Sequence, residues 1–157
     1  MKFSPLSFLL LTAVASASLV ACGGGSTPLT GVFLDAAVEG LEYASGTAAK
    51  VSTNAKGEFI CNSGETVNFS VNSITIGSAP CASVITPLNL AGTSDVKADK
   101  VTNRLLALQL LDEDSDPSNG IKITSAAKTA LAGRSLDFGA APATFNTDLK
   151  AVLAAVG

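Results

Sequence analysis

The hydropathy of this chain changes period once, and that change limits the folds open to it. From Gly31 to Leu90 the apolar residues alternate with polar ones or come in short runs between turn residues. Thr66–Val71 is the plainest case, with Val67, Phe69 and Val71 on one face and Thr66, Asn68 and Ser70 on the other. Such alternation marks a strand with one buried face and one wet face. From Gly92 onward the apolar residues recur at three- and four-residue spacing, first Val101, Leu105, Leu108 and Leu111, later Phe145, Leu149, Val152, Leu153 and Val156. That spacing is helical. Strands first and helices after predict an α+β chain: a small antiparallel β-sandwich over residues 31–91, then a C-terminal helical lobe of two to three helices over 92–157, packed on it.

Within the first part, Gly31–Asp35 reads as a short apolar strand and Val38–Tyr43 as one alternating strand. Lys50–Thr53 and Glu58–Cys61 flank Asn54-Ala55-Lys56-Gly57, a turn with glycine where positive φ is useful. Asn62–Glu65 makes the next turn, and Ile74–Ile76 and Ser83–Ile85 complete the strands. Asp35 is followed by Val38 and Gly40 as V-x-G, and then by Thr53, Gly57 and Phe59 as T-x-x-x-G-x-F. In this the stretch from Gly31 to Val71 resembles the carboxypeptidase-regulatory-like, or transthyretin-like, sandwich. The resemblance implies a fold and no chemistry, since such modules serve as stalks, spacers and accessory domains. Ile74–Ala79 and Thr86–Leu90 are also similar to stretches that precede a helix in bacterial surface lipoproteins.

In the second part, Thr93, Ser94 and Asp95 offer N-caps for a helix reaching Leu111. Leu106 and Leu110 lie nearly opposite its main apolar stripe, so this helix is expected to be covered on two sides. A shorter helix starts at Thr124 or Ser125 and stops at Gly133, a suitable C′ residue. The last helix is expected over about 144–156.

The amino end addresses the chain rather than folding with it. Lys2, the apolar run Leu6–Val14 and the small residues up to Ala21 have the layout of a secretory signal. The apolar run is short and broken by Ser and Thr, unlike a membrane-spanning helix. Leu19-Val20-Ala21-Cys22 resembles the lipobox of bacterial lipoproteins, which implies that Cys22 is fatty-acylated and becomes the first residue. Residues 1–21 are then the signal peptide and residues 22–30 a Gly/Ser tether. Gly23, where such proteins carry Asp when retained, resembles the sorting pattern for the outer membrane. The expected location is the cell envelope, with the membrane as partner through the lipid anchor.

Composition removes several functions. The 157 residues include no histidine, which excludes a Ser-His-Asp triad, a Cys-His dyad and any His-ligated metal. Net charge is −3, and removing the signal takes away Lys2 alone, leaving −4. Such a chain has no general attraction for nucleic acid. Cys61 and Cys81 remain once Cys22 is acylated; in an exported protein they pair, in neighbouring sandwich strands, or else stay as buried thiols.

One constellation has chemical character. In Asp112-Glu113-Asp114-Ser115-Asp116-Pro117-Ser118-Asn119-Gly120, the acids at alternate positions resemble the opening of a calcium loop. It is not an EF-hand, because Pro117 stands where glycine is needed and Ile123 where a bidentate Glu is needed. Asp112, Asp114, Asp116 and Asn119 are the candidate ligands of Ca²⁺. The alternative is a solvated acidic loop that caps the segment starting near Ile121. The reading of function is a non-catalytic, lipid-anchored envelope protein, a spacer or an interaction module. A calcium-dependent module for a glycan or protein, or the amino-terminal accessory domain of a longer secreted enzyme, are the alternatives.

Overall fold

The computed structural model describes residues 27–154. The signal peptide, Cys22, most of the tether and Val156 lie outside the described residues. The first strand, β1 (Pro28–Phe33), starts inside the stretch read as tether, because Pro28 and Leu29 already pair with Asn62 and Cys61. Then come β2 (Val38–Glu39), β3 (Glu42–Ser45), β4 (Val51–Ser52), β5 (Glu58–Asn62), β6 (Thr66–Val71), β7 (Ile74–Pro80) and β8 (Val84–Ile85). Helices α1 (Pro87–Ala91) and α2 (Asp99–Leu110) follow, then β9 (Ile121–Lys122), α3 (Ser125–Ala130) and α4 (Pro142–Leu153). Strands followed by helices make this an α+β fold, as the change of period requires.

Two sheets face each other. One has the order β5-β1-β8, and the other, antiparallel throughout, has the order β4-β3-β6-β7. Their inward faces meet through aromatic rings, Phe33 of β1 and Phe59 of β5 packing on Phe69 of β6 at 5.1 and 5.3 Å between centroids. Tyr43 of β3 closes the cluster against Phe59. The sheets are mainly antiparallel, but β8 joins β1 in parallel.

Val38–Tyr43 is not one strand. It breaks at Gly40, which takes φ +80 and lies so close to Ile123 that a Cβ there would sit 2.3 Å from the carbonyl oxygen. The break sends β2 away from the sandwich to pair in parallel with β9, Val38 opposite Ile121. Val38, Leu41 and Tyr43 are all buried although Val38 and Leu41 stand three residues apart, so the period of two does not run through the corner.

Among the described residues three α-helices follow residue 92, two of them with corrected starts. Thr93 and Asp95 spend their side chains on local turns, accepting from the amides of Asp95 and Lys97, so α2 begins only at Asp99. The shorter helix starts as expected, Thr124 accepting from the amide of Ala127. The last helix starts at Pro142, whose fixed φ suits the first turn. α1 lies in the stretch assigned to strands, and Thr86, Pro87 and Asn89 supply its capping box and N1 proline. Helix α2 is covered less completely than its sequence implies. Val101 and Leu108 are buried and Leu106 is partly buried, whereas Leu110 is 44% exposed. One hydrophobic cluster joins the sandwich to α2, α3 and α4.

Candidate functional site

Helix α2 ends at Leu110, and the chain must turn back to pair β9 with β2. The acidic run makes that turn. Glu113 N–H donates to Lys122 C=O at 3.0 Å, and Lys122 N–H donates to Oδ1 of Asp112 at 2.8 Å, closing the loop at its neck. Across the neck, Lys122 Nζ meets Glu113 Oε2 at 2.6 Å, and this contact raises the lysine above its usual range.

The four predicted ligands separate by role. Asp116 caps the single 3₁₀ turn Pro117–Asn119, its Oδ1 accepting from the amide and the hydroxyl of Ser118 at 3.1 and 2.6 Å. Asp114 accepts from Asp116 N–H through Oδ1 and from Asn119 Nδ2 through Oδ2, at 3.0 and 2.8 Å. The Asn119 amide first, then the Asp116 N–H, hold the Asp114 carboxyl below the usual range. Asp112 is the departure from expectation. A solvated acidic loop would expose every acid, yet Asp112 is only 7% exposed, because it continues the buried side of α2 beyond Leu111.

Asp112 and Asp114 line one cavity together with Asn119. Asp112 Oδ2 is shut off from solvent and has no hydrogen-bond partner. The cavity is about 250 Å³ and is lined also by Glu39, Glu113 and Lys122. The structure therefore brings Asp112, Asp114 and Asn119 together and turns Asp116 to another task. Among the described residues no group of three acidic or cysteine side chains is arranged to hold a metal.

The cysteines lie at disulfide distance, with 5.8 Å between Cα atoms. They belong to different sheets, Cys61 to β5 and Cys81 to the residue after β7, so the pair ties sheet to sheet rather than neighbouring strands. Sequence reasoning missed a separate apolar groove of about 300 Å³ beside α1, lined by Leu34, Asp35, Leu88, Val96 and Leu105. Burial raises the Asp35 carboxyl above its usual range. The exposed hydrophobics Leu34 and Val96 were the available signal, but a sequence does not say which apolar residues stay uncovered.

Among the described residues no helix is long and apolar enough to cross a membrane. Compared with protein-family models, curated proteins and solved structures, the chain matches none of them.

Proposed function

We propose that this protein is a non-catalytic module of a bacterial cell envelope, anchored by lipid at Cys22 and acting as a spacer or interaction domain. One observation carries the reading: Leu19-Val20-Ala21-Cys22 ends a signal-like segment directly before a glycine run, and strand pairing begins at Pro28. The tether is then the five residues Gly23–Thr27, which span roughly 17 Å when extended. That length holds the folded body close to the lipid surface.

Two further features support it. Cys61 and Cys81 at disulfide distance suit an oxidising compartment. The residues carrying the transthyretin-like resemblance act in the fold: Gly40 and Gly57 take positive φ, Thr53 is hydrogen-bonded in the interior and Phe59 sits in the aromatic cluster. Outer-membrane sorting follows from Gly23 where the cell has such a membrane. A second reading, a calcium-dependent binding module, is favoured by the unpartnered oxygen of Asp112.

Labelling expressing bacteria with a radioactive fatty acid tests the anchor. The wild type should carry label and Cys22→Ser should not. An unlabelled wild type, or a labelled Cys22→Ser, overturns it.

A further inference from the structure

The two sheets of the sandwich bury similar inner faces and turn different outer faces to their surroundings. On β6 and β7 the outward positions are Thr66, Asn68, Ser70, Thr75 and Ser78, the polar set expected of a sheet face in contact with water. The sheet β5-β1-β8 departs from that rule. Its outward positions, alternating with the buried Phe33 and Phe59, include Val32 on β1, Leu34 just past it, Ile60 on β5 and Val84 on β8. Ile60 is 59% exposed, Leu34 48% and Val84 46%. Strand register gathers them, with Val84 opposite Val32 and Ile60 opposite Thr30. Within β1, β5 and β8 the only charged residue is Glu58, and its Oε2 accepts from Asn54 Nδ2 at 2.7 Å in the preceding turn. Exposed apolar residues gathered on one face mark an interaction surface.

The occupant of this face follows from where the chain enters it. β1 is the central strand of the sheet, and only Gly23–Thr27 separate its first residue, Pro28, from Cys22. Five extended residues span roughly 17 Å. Granted the lipid anchor proposed for Cys22, on which this inference rests, so short a tether holds this sheet beside the bilayer. The anchor gives the face a high effective concentration at the lipid surface, so a small apolar contact suffices. A second copy of the chain fits less well. Three strands about 4.8 Å apart and about five residues long offer roughly 250 Å², against about 800 Å² per partner in a stable dimer. The negative net charge of the chain gives no attraction to anionic lipid, so the contact is apolar.

We propose that the outer face of β5-β1-β8 lies against the membrane that holds the anchor, with Val32, Leu34, Ile60 and Val84 seated at the boundary of headgroups and acyl chains. The polar face of the opposite sheet then points away from the membrane, into water. The anchored body is held in one orientation instead of swinging on its tether.

The chain contains no tryptophan, so a single introduced one reports on its own position. Ile60→Trp and Val84→Trp probe the apolar face, and Asn68→Trp probes the polar face of the other sheet. Each protein, as matured by the expressing bacterium, is reconstituted into phosphatidylcholine vesicles with plain or brominated acyl chains. Flotation with the vesicles reads the anchor, and quenching by bromine reads the face. Ile60→Trp and Val84→Trp should shift their emission to the blue and lose most of it in the brominated vesicles, while Asn68→Trp keeps most of its own. If one of the two face variants does not fold, the other carries the comparison. Protein that floats but is quenched at position 60 or 84 no more than at position 68 overturns the docked face and leaves the anchor standing. A blue shift at both face positions without bromine quenching marks a second copy on the face and overturns the membrane as occupant. Protein that does not float overturns the anchor and the docked face together.

Discussion

Thr53 shows how much one hydroxyl can organise. It is 4% exposed, donates to Val38 C=O at 2.6 Å and accepts from Leu41 N–H at 3.0 Å. Its own backbone bonds Leu41 and Gly40, so a single residue holds both sides of the corner between β2 and β3. Replacing it with valine keeps the shape and leaves a buried donor and a buried acceptor unpaired. Thr53→Val should lose about 1–3 kcal/mol in urea unfolding with an unchanged m-value, and Thr53→Ser should lose less. Equal stability of Thr53→Val and wild type would show that the hydroxyl is not holding the corner. The sequence displayed Thr53 in a turn-flanking strand and in the transthyretin-like pattern; its hydrogen-bond partners lie twelve and fifteen positions away.

At the scale of elements, the two sheets are joined by their aromatic faces and by the cysteine pair. Cys61 pairs in register with Leu29 of β1, and the amide of Cys81 donates to Glu65 C=O at the end of the other sheet. A bond across 20 residues of sequence stabilises by about 3 kcal/mol through the unfolded state. The Cys61→Ser, Cys81→Ser double variant should therefore lose about that much in denaturant unfolding. Non-reducing mass spectrometry should find no free thiol at either position in the wild type. Two alkylated cysteines in the folded wild type would remove the bridge from the account.

Across the described residues one core joins sandwich and helices, and polar contacts tie its parts. Asn103 of α2 is 1% exposed and donates through Nδ2 to Phe138 C=O and Ala140 C=O at 3.1 and 2.9 Å. Next to it, Arg104 donates to Ile76 C=O of β7 and lies 5.0 Å over the Phe138 ring. Burial lowers the Arg104 guanidinium from its ordinary value. Helices and sandwich should thus unfold together. Asn103→Ala should cost about 2 kcal/mol by stranding two carbonyls. The change should register equally in the fluorescence of Tyr43, the chain's single tyrosine, and in the far-UV circular dichroism of the helices. Helices melting before Tyr43 responds would mean two separable units.

What the sequence determined by itself is whatever depends on neighbours along the chain. Period two in Thr66–Val71, the Asn54–Gly57 turn, the cap at Thr124 and the order of strands before helices all follow from residues within a few positions of each other. The capping box at Thr86 and Asn89 was equally local and equally readable, though that stretch was counted with the sandwich. The tertiary structure decided what depends on distant partners. Gly40 breaks a strand because Ile123 comes against it, and β2 leaves the sandwich because β9 arrives to pair with it. The same distinction runs through the acidic loop. Its spacing raised the expectation of oxygen ligands, but alternation cannot say which acid the helix end buries. Only the fold closes water off from Asp112, sets it on one cavity with Asp114 and leaves Asp116 to cap a turn.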